Sequence, residues 1–211
     1  PTLIQLRSEG IQVRGEMDLA WDALRQIPWI GITGTNGKTT VTHLLSHVLE
    51  NSGLKAPMGG NMGLSAAELA CQIAAGASPR PDWLVMELSS YQIEAAPAIA
   101  PKIGIWTTLT PDHLERHGSL EAYRAIKRGL LERSQCALFN ADDPDLRQQR
   151  SSWQHGTWVS GEGARPDGQP ADLWIDAEGM VRNSTTTLFA ADVLAMPGNH
   201  NRQNLLLVTA A

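Results

Sequence analysis

Cysteine is scarce in this chain. Cys71 and Cys136 are the 2 present in 211 residues, and they form neither a CxxC pair nor a disulfide framework. A reducing compartment is therefore expected, with the cytoplasm as the default. Excess basic charge is missing as well. The formal net charge of −5 gives no electrostatic footprint for nucleic acid. No apolar run approaches the roughly 18 residues of a membrane span, and no charged-then-apolar signal segment opens the chain. Internal repeats and low-complexity tracts are absent. So is an initiating methionine: the chain starts at Pro1. It stops within Leu205-Leu206-Leu207-Val208-Thr209-Ala210-Ala211, which reads as a helix without a C-cap. These ends lead us to expect a segment of a longer protein, with residues 1 to 27 as the tail of a preceding domain or a linker.

What is present centres on Ile30-Gly31-Ile32-Thr33-Gly34-Thr35-Asn36-Gly37-Lys38-Thr39-Thr40. An apolar run precedes it and the apolar-periodic segment Val41 to Leu49 follows. That is the strand, glycine-rich turn and helix order of a phosphate-binding loop. Backbone N–H groups of such a turn meet phosphate oxygens at the positive end of the new helix. Lys38 can add a point charge to the outer phosphates, and the Thr39 hydroxyl can ligate magnesium. The pattern departs from the common one at Ile32, which stands where a glycine is usual; the glycines fall at Gly31 and Gly34.

Beyond the loop, strand and helix patterns alternate. Helices are expected over 39–51, 64–75 and 120–132, with extended segments over 55–58, 82–88, 102–107 and 135–139. Gly10 to Gly15 reads as a short strand and Asp18 to Gln26 as a short helix. The region Trp153 to Leu194 changes to short Trp-, Thr- and Val-containing runs with a hairpin at Asp176-Ala177-Glu178-Gly179, and reads as an antiparallel flank. The fold class expected is α/β: a mostly parallel phosphate-loop sheet with helices on both faces and a small antiparallel flank.

Ligands of such a sheet gather at the carboxyl ends of its strands. Glu87 ends an apolar strand, where an acid can hold magnesium or simply be solvated. Asp112-His113 follow another strand end. His113 and His117 have the spacing of a helical zinc pair, but no HExxH pattern is present and Gly118 would end the helix at once. Asn61 lies in a glycine turn. Lys127 alone would read as a surface lysine.

Together these motifs resemble the Mur ligases, which add amino acids to the peptidoglycan precursor. Gly34 to Thr40 is similar to their ATP loop, including the missing glycine, and Gly59-Gly60-Asn61-Met62-Gly63 to their second glycine turn. Glu87-Leu88-Ser89-Ser90-Tyr91-Gln92-Ile93-Glu94 resembles the D-glutamate-adding branch most. Thr110 to His117, Tyr123 to Lys127, Asn140 to Pro144 and Gly198 to Asn204 continue in family order. The resemblance implies a central ATP-binding ligase domain over residues 28 to 211, cut at its C-terminal end. It implies ATP bound by Gly34, Thr35, Asn36, Gly37, Lys38, Thr39 and Thr40, with Asn201 and Asn204 towards the adenine.

It further implies two magnesium ions, one on Thr39 and Glu87, one on His113 and a carbamylated Lys127. An ammonium has no lone pair for a metal, and a carbamate supplies the oxygen that magnesium prefers. Lys38, Glu87, His113 and Lys127 would be catalytic. Asn61, Ser89, Gln92 and His113 would face a nucleotide-sugar substrate whose carboxylate, activated as an acyl phosphate, takes the amine of D-glutamate. A monomer is expected. Two other readings stay open: a sister Mur or folate-polyglutamylating ligase, and a nucleotide-dependent switch or binding module.

Overall fold

The computed structural model describes residues 2–77, 79–163 and 170–211. Helices α1 (Leu3–Ser8) and α2 (Glu16–Leu24) lead into strand β1 (Trp29–Thr33), and α3 (Lys38–Asn51) follows it. Then come β2 (Met58–Gly60), α4 (Ala66–Ala74), β3 (Leu84–Glu87), α5 (Ser90–Ala95), β4 (Ile103–Trp106), α6 (Leu114–His117) and α7 (Leu120–Arg133). The second half holds β5 (Cys136–Asn140), α8 (Pro144–Gln148), β6 (Thr157–Ser160), β7 (Leu173–Ile175), β8 (Met180–Asn183), β9 (Thr187–Ala190) and α9 (Asn199–Ala210).

The strands form one sheet in the order β2-β3-β1-β4-β5-β6-β7-β8-β9. Side chains alternate across it as a pleated strand requires. Ile30, Ile32, Val85, Ile105, Leu138 and Val159 face one way, where Val41 and Leu45 of α3 and Leu206 and Leu207 of α9 cover them. Trp29, Leu84, Met86, Trp106, Phe139 and Trp158 face the other way, under α2, α4, α5 and α7. Both faces are buried, so the central strands read as continuous apolar runs rather than alternating ones.

The helix patterns held within two residues at most ends, because caps set them. Ser65 accepts from the Glu68 N–H and starts α4 two residues later than the apolar pattern suggested. Ser119 caps α7 in the same way.

Two expectations are corrected. Gly10 to Gly15 is not a strand: among the described residues it pairs with no other strand, and Arg14 instead pairs with Asp18 and, at 2.6 Å, with Asp22 as a lead-in to α2. The flank from Trp153 to Leu194 is only partly antiparallel. β6 runs parallel to β5 and β7 parallel to β6; antiparallel pairing begins at β7·β8 and continues to β9. The short runs carried no information on strand direction, and the connection between β6 and β7 includes residues 164–169, outside the described residues. The hairpin at 176–179 does join β7 to β8, with Gly179 at φ 79°. The α2 residues Met17, Ala20 and Leu24 belong to the same buried cluster as the sheet.

The edge strand β2 is held by two glycines. A Cβ on Gly60 would sit 2.3 Å from the Glu87 carbonyl oxygen, and its φ of 101° is unfavourable to any side chain. Gly60→Ala is therefore expected to destabilise the chain by about 3 kcal/mol, the sum of overpacking and a strained backbone. The measurement is the urea midpoint, and a midpoint unchanged from the parent would show that the β2 edge yields freely.

Candidate active site

The carboxyl ends of β1, β3 and β4 lie side by side, and the chain leaves each of them into a functional loop. After β1, Gly34 takes φ 149°, with the Thr107 side chain where a Cβ would be. Gly37 takes φ 85° and caps α3, with Asn204 Oδ1 2.9 Å from the position of a Cβ. The loop is braced from β4: Thr35 N donates to Thr108 O and Asn36 N to Thr108 Oγ1, both at 2.9 Å. Those two amides are thus spent on the fold. The amides left for an anion are the ones at the start of α3, before its first intrahelical bond from Val41 N to Gly37 O. Lys38 Nζ folds back onto Thr35 O at 3.0 Å.

Glu87 ends β3 at 1% exposure. Thr39 Oγ1 donates to one of its oxygens at 2.8 Å, and Asn61 Nδ2 to the other at 3.0 Å. Thr39, Asn61 and Glu87 therefore meet, although their positions in the chain are far apart. A buried carboxylate with neutral donors and a hydroxyl beside it is an oxygen-rich set suited to magnesium.

Lys127 reads alone as a surface lysine and by resemblance as a site residue, and it lies in the site. It is not a surface lysine: its exposure is 1%, and its ammonium is held by Gly34 O at 3.0 Å and Thr33 Oγ1 at 3.2 Å. The Tyr123 ring lies 4.6 Å from Nζ. No carboxylate pairs with it among the described residues. Burial, aided by the nearby Lys38 charge, lowers its pKa from the usual lysine value to about 7. A large fraction of the amine is then neutral and nucleophilic near neutral pH. The α7 helix brings Lys127 beneath the loop because Tyr123, Leu130 and Leu131 share its buried face.

His113 takes φ 52° at the N-cap of α6, and its ring is about half exposed, 3.5 Å from Asp112 Oδ2. It shares one cavity of about 290 Å³ with Lys38, Asn61, Ser89, Tyr123 and Lys127. His113 and His117 do not act as a pair: His117 turns inward to Ser90 while His113 faces Asp112. As it stands, a His113–Lys127 set suits no divalent cation, because an ammonium repels one; converted to a carbamate, Lys127 would fit.

The remaining sequence-derived residues have structural duties. Ser89 and Gln92 form the capping box of α5, which occupies Gln92 Oε1. Thr40 stands in the first turn of α3. Asn201 and Asn204 are buried near the loop: Asn201 donates to Pro197 O at 2.8 Å and accepts from Asn204 at 3.3 Å. Sequence reasoning missed Tyr123, Thr107 and Thr108 as loop supports. Thr107-Thr108 directly after the β4 run was the available signal; Tyr123 had none beyond its spacing from Lys127.

Residues 32–211 match the family model described as the Mur ligase middle domain. A UDP-N-acetylmuramoylalanine–D-glutamate ligase of Synechococcus sp. (strain CC9605) is 90% identical over the whole chain, which covers 46% of that protein. The ligase of the same name from Prochlorococcus marinus (strain NATL2A) is 47% identical over 99% of the chain and 45% of its own length. The chain thus spans about half the length of the curated relatives it matches. Among solved structures, a UDP-N-acetylmuramoyl-L-alanyl-D-glutamate–2,6-diaminopimelate ligase superposes with a TM-score of 0.73 at 21% identity, over 92% of this chain and 46% of that one. A MurF ligase from Thermotoga maritima in complex with ADP gives 0.59 at 21% identity, over 92% and 47%. At that identity the structures speak for the fold.

Proposed function

This chain belongs to the Mur ligase family through its middle domain, and from that premise we propose that it is the ATP-binding portion of the ligase that adds D-glutamate to UDP-N-acetylmuramoyl-L-alanine. The full protein would work in the cytoplasm, as a monomer, in peptidoglycan precursor synthesis. Residues 1 to 27 would connect to a preceding domain and 28 to 211 would form most of the central one. The observation that carries the reading is the convergence of three groups on one strand-end cavity: the loop lysine Lys38, Asn61, which donates to Glu87, and the buried Lys127, which has no carboxylate partner among the described residues.

In this reading Gly34 to Thr40 hold the ATP phosphates. Lys38 swings from Thr35 O to the outer phosphates, and the first-turn amides of α3 meet the oxygens. Asn201 and Asn204 lie towards the adenine. Asn61, Ser89, Gln92 and His113 face the nucleotide sugar. Magnesium would neutralise phosphate charge, held by Thr39 and Glu87 at one site and by His113 and carbamylated Lys127 at the other. Lys127 is prepared for that modification: its neutral amine attacks CO2 to give the carbamate and one proton.

The substrate carboxylate is a poor electrophile until it is phosphorylated, so the site must hold it against the γ-phosphate while both are anionic. Positioning and charge neutralisation are the work of these residues. The D-glutamate amine would then attack the acyl carbon, the carbon–oxygen bond to phosphate would break to release inorganic phosphate, and the nitrogen would lose a proton to leave the amide.

The test is phosphate release by the complete protein with UDP-N-acetylmuramoyl-L-alanine and a panel of amino acids. Only D-glutamate should support product. Preference for L-lysine or diaminopimelate would move the chain to a sister branch, and ATP hydrolysis independent of the nucleotide sugar would overturn the ligase reading.

A further inference from the structure

Asn36 sits where the phosphate loop turns into α3, and two threonines at the end of β4 hold its backbone. The Thr107 hydroxyl donates to Asn36 O at 2.5 Å. Thr33 O is also within its reach, at 3.2 Å, but the hydroxyl has one proton and Asn36 O is the closer acceptor. The Thr108 hydroxyl donates to Asn36 O at 3.1 Å and accepts from Asn36 N at 2.9 Å. A carbonyl oxygen has two lone pairs, so it can serve both hydroxyls. Thr107 is itself fixed. It is buried, its N–H donates to Thr33 O at 3.0 Å, and its carbonyl accepts from the buried Asn140 amide at 3.0 Å. Its branched Cβ leaves the hydroxyl little rotamer freedom.

Asn36 O and the Gly37 N–H belong to one trans peptide, where the two groups point in opposite directions. Drawing Asn36 O towards β4 therefore turns the Gly37 N–H away from it. No acceptor takes that N–H among the described residues. Gly37 adopts φ 85°. Glycine visits positive and negative φ about equally, so Gly37 alone does not choose between this orientation and the flipped one. A flipped peptide would present a carbonyl oxygen, not an N–H, to an anion in the loop. The threonine hydroxyls supply the choice that the glycine lacks.

We propose that Thr107 and Thr108 are positioning residues for ATP: their hydroxyls hold the peptide joining Asn36 to Gly37 with its carbonyl towards β4 and its N–H towards the phosphate oxygens. This rests on the phosphate-loop reading given above. Each threonine acts through the loop backbone rather than on the nucleotide.

The experiment is calorimetric titration of the complete protein with β,γ-imido-ATP and, separately, with UDP-N-acetylmuramoyl-L-alanine. Valine keeps the branched shape of threonine and removes the hydroxyl. Thr107→Val and Thr108→Val should each raise the dissociation constant of the ATP analogue by about 3- to 10-fold, the loss expected for one hydrogen bond, and together by about 10-fold or more. Affinity for the nucleotide sugar should stay within about 2-fold, and so should the ATP-analogue affinity of Thr107→Ser and Thr108→Ser, which keep the hydroxyl. Thr108 is only half-buried, which keeps the test available if Thr107→Val folds poorly. A lower melting temperature with unchanged affinity for the ATP analogue would assign the hydroxyls to the fold alone and overturn the inference. Equal weakening towards both ligands, or no recovery in the serine variants, would overturn it as well. Lys38→Ala tests the premise: if the valine variants bind normally while Lys38→Ala binds weakly, only the inference fails. If Lys38→Ala also binds normally, the phosphate-loop reading has failed and the inference falls with it.

Discussion

In the complete protein, Lys127→Ala is expected on the proposed reading to lower ligation by about 10³-fold or more, since neutralising phosphate charge through a metal held by the carbamate would be worth several kcal/mol. The reason lies in the burial of the residue. Lys127 sits beneath the loop with two neutral oxygens and a tyrosine ring, and no carboxylate partner among the described residues. A cation needed only for attraction would gain nothing from that desolvation. An amine brought to a pKa of about 7 by burial can take up CO2. Because burial lowers the pKa, the free amine appears as pH rises through about 7, far below the range of a solvated lysine. At fixed dissolved CO2, the carbamate signal from labelled bicarbonate should therefore grow across that window and vanish well below it. Acetate or formate should partly restore Lys127→Ala by occupying the vacated oxygen-ligand position. Lys127→Arg should stay inactive with or without them, since arginine keeps its charge and cannot be carbamylated. Full turnover by Lys127→Arg would show that a plain cation suffices, and the second-metal role would have to be dropped.

In the complete protein, Lys38→Ala should lower kcat by roughly 10²–10³, about 3–4 kcal/mol, as for the loss of one preorganised charge partner of a transition state. Lys38 stands at the first position of α3, and its ammonium rests on Thr35 O, within the loop it would serve. Its move to a phosphate exchanges one neutral acceptor for a charged one. The substitution has a second effect that the structure makes specific. After burial, the Lys38 charge is what depresses the Lys127 pKa, against the opposing effect of Asp112, so its removal should raise that pKa and shift carbamate formation to higher pH. Turnover measured at saturating ATP decides the first effect; a variant that keeps most of its rate would remove Lys38 from the chemistry. The labelled-bicarbonate titration decides the second.

Much of this was legible in the chain alone, because the deciding signals are local. A glycine-rich turn between an apolar strand and an apolar-striped helix reads as a phosphate-binding loop once Gly37-Lys38-Thr39 stands in it. Glu87 and Asp112-His113 were picked out by the rule that ligands gather at strand ends in a parallel sheet, and Glu87 does end β3. The motif order from Gly34 to Asn204 placed the chain in its family before any distance was known. The direction of β6 and β7 was not legible, since three or four apolar residues pair equally well either way until their neighbours are fixed. Gly10 to Gly15 failed as a strand for a related reason: extended propensity without a strand to pair with makes no ladder.

The sequence by itself determined the loop, the alternation of strands and helices, and the family, all of which rest on residues close together in the chain. Only the tertiary structure decided that Lys127 is buried, that Thr39 and Asn61 meet on Glu87, and that Thr107 and Thr108 meet on Asn36 O. Burial and desolvation depend on what the rest of the chain places around a side chain. A lysine on α7 looks like any helical lysine until β1, its loop and Tyr123 close over it and take its water away.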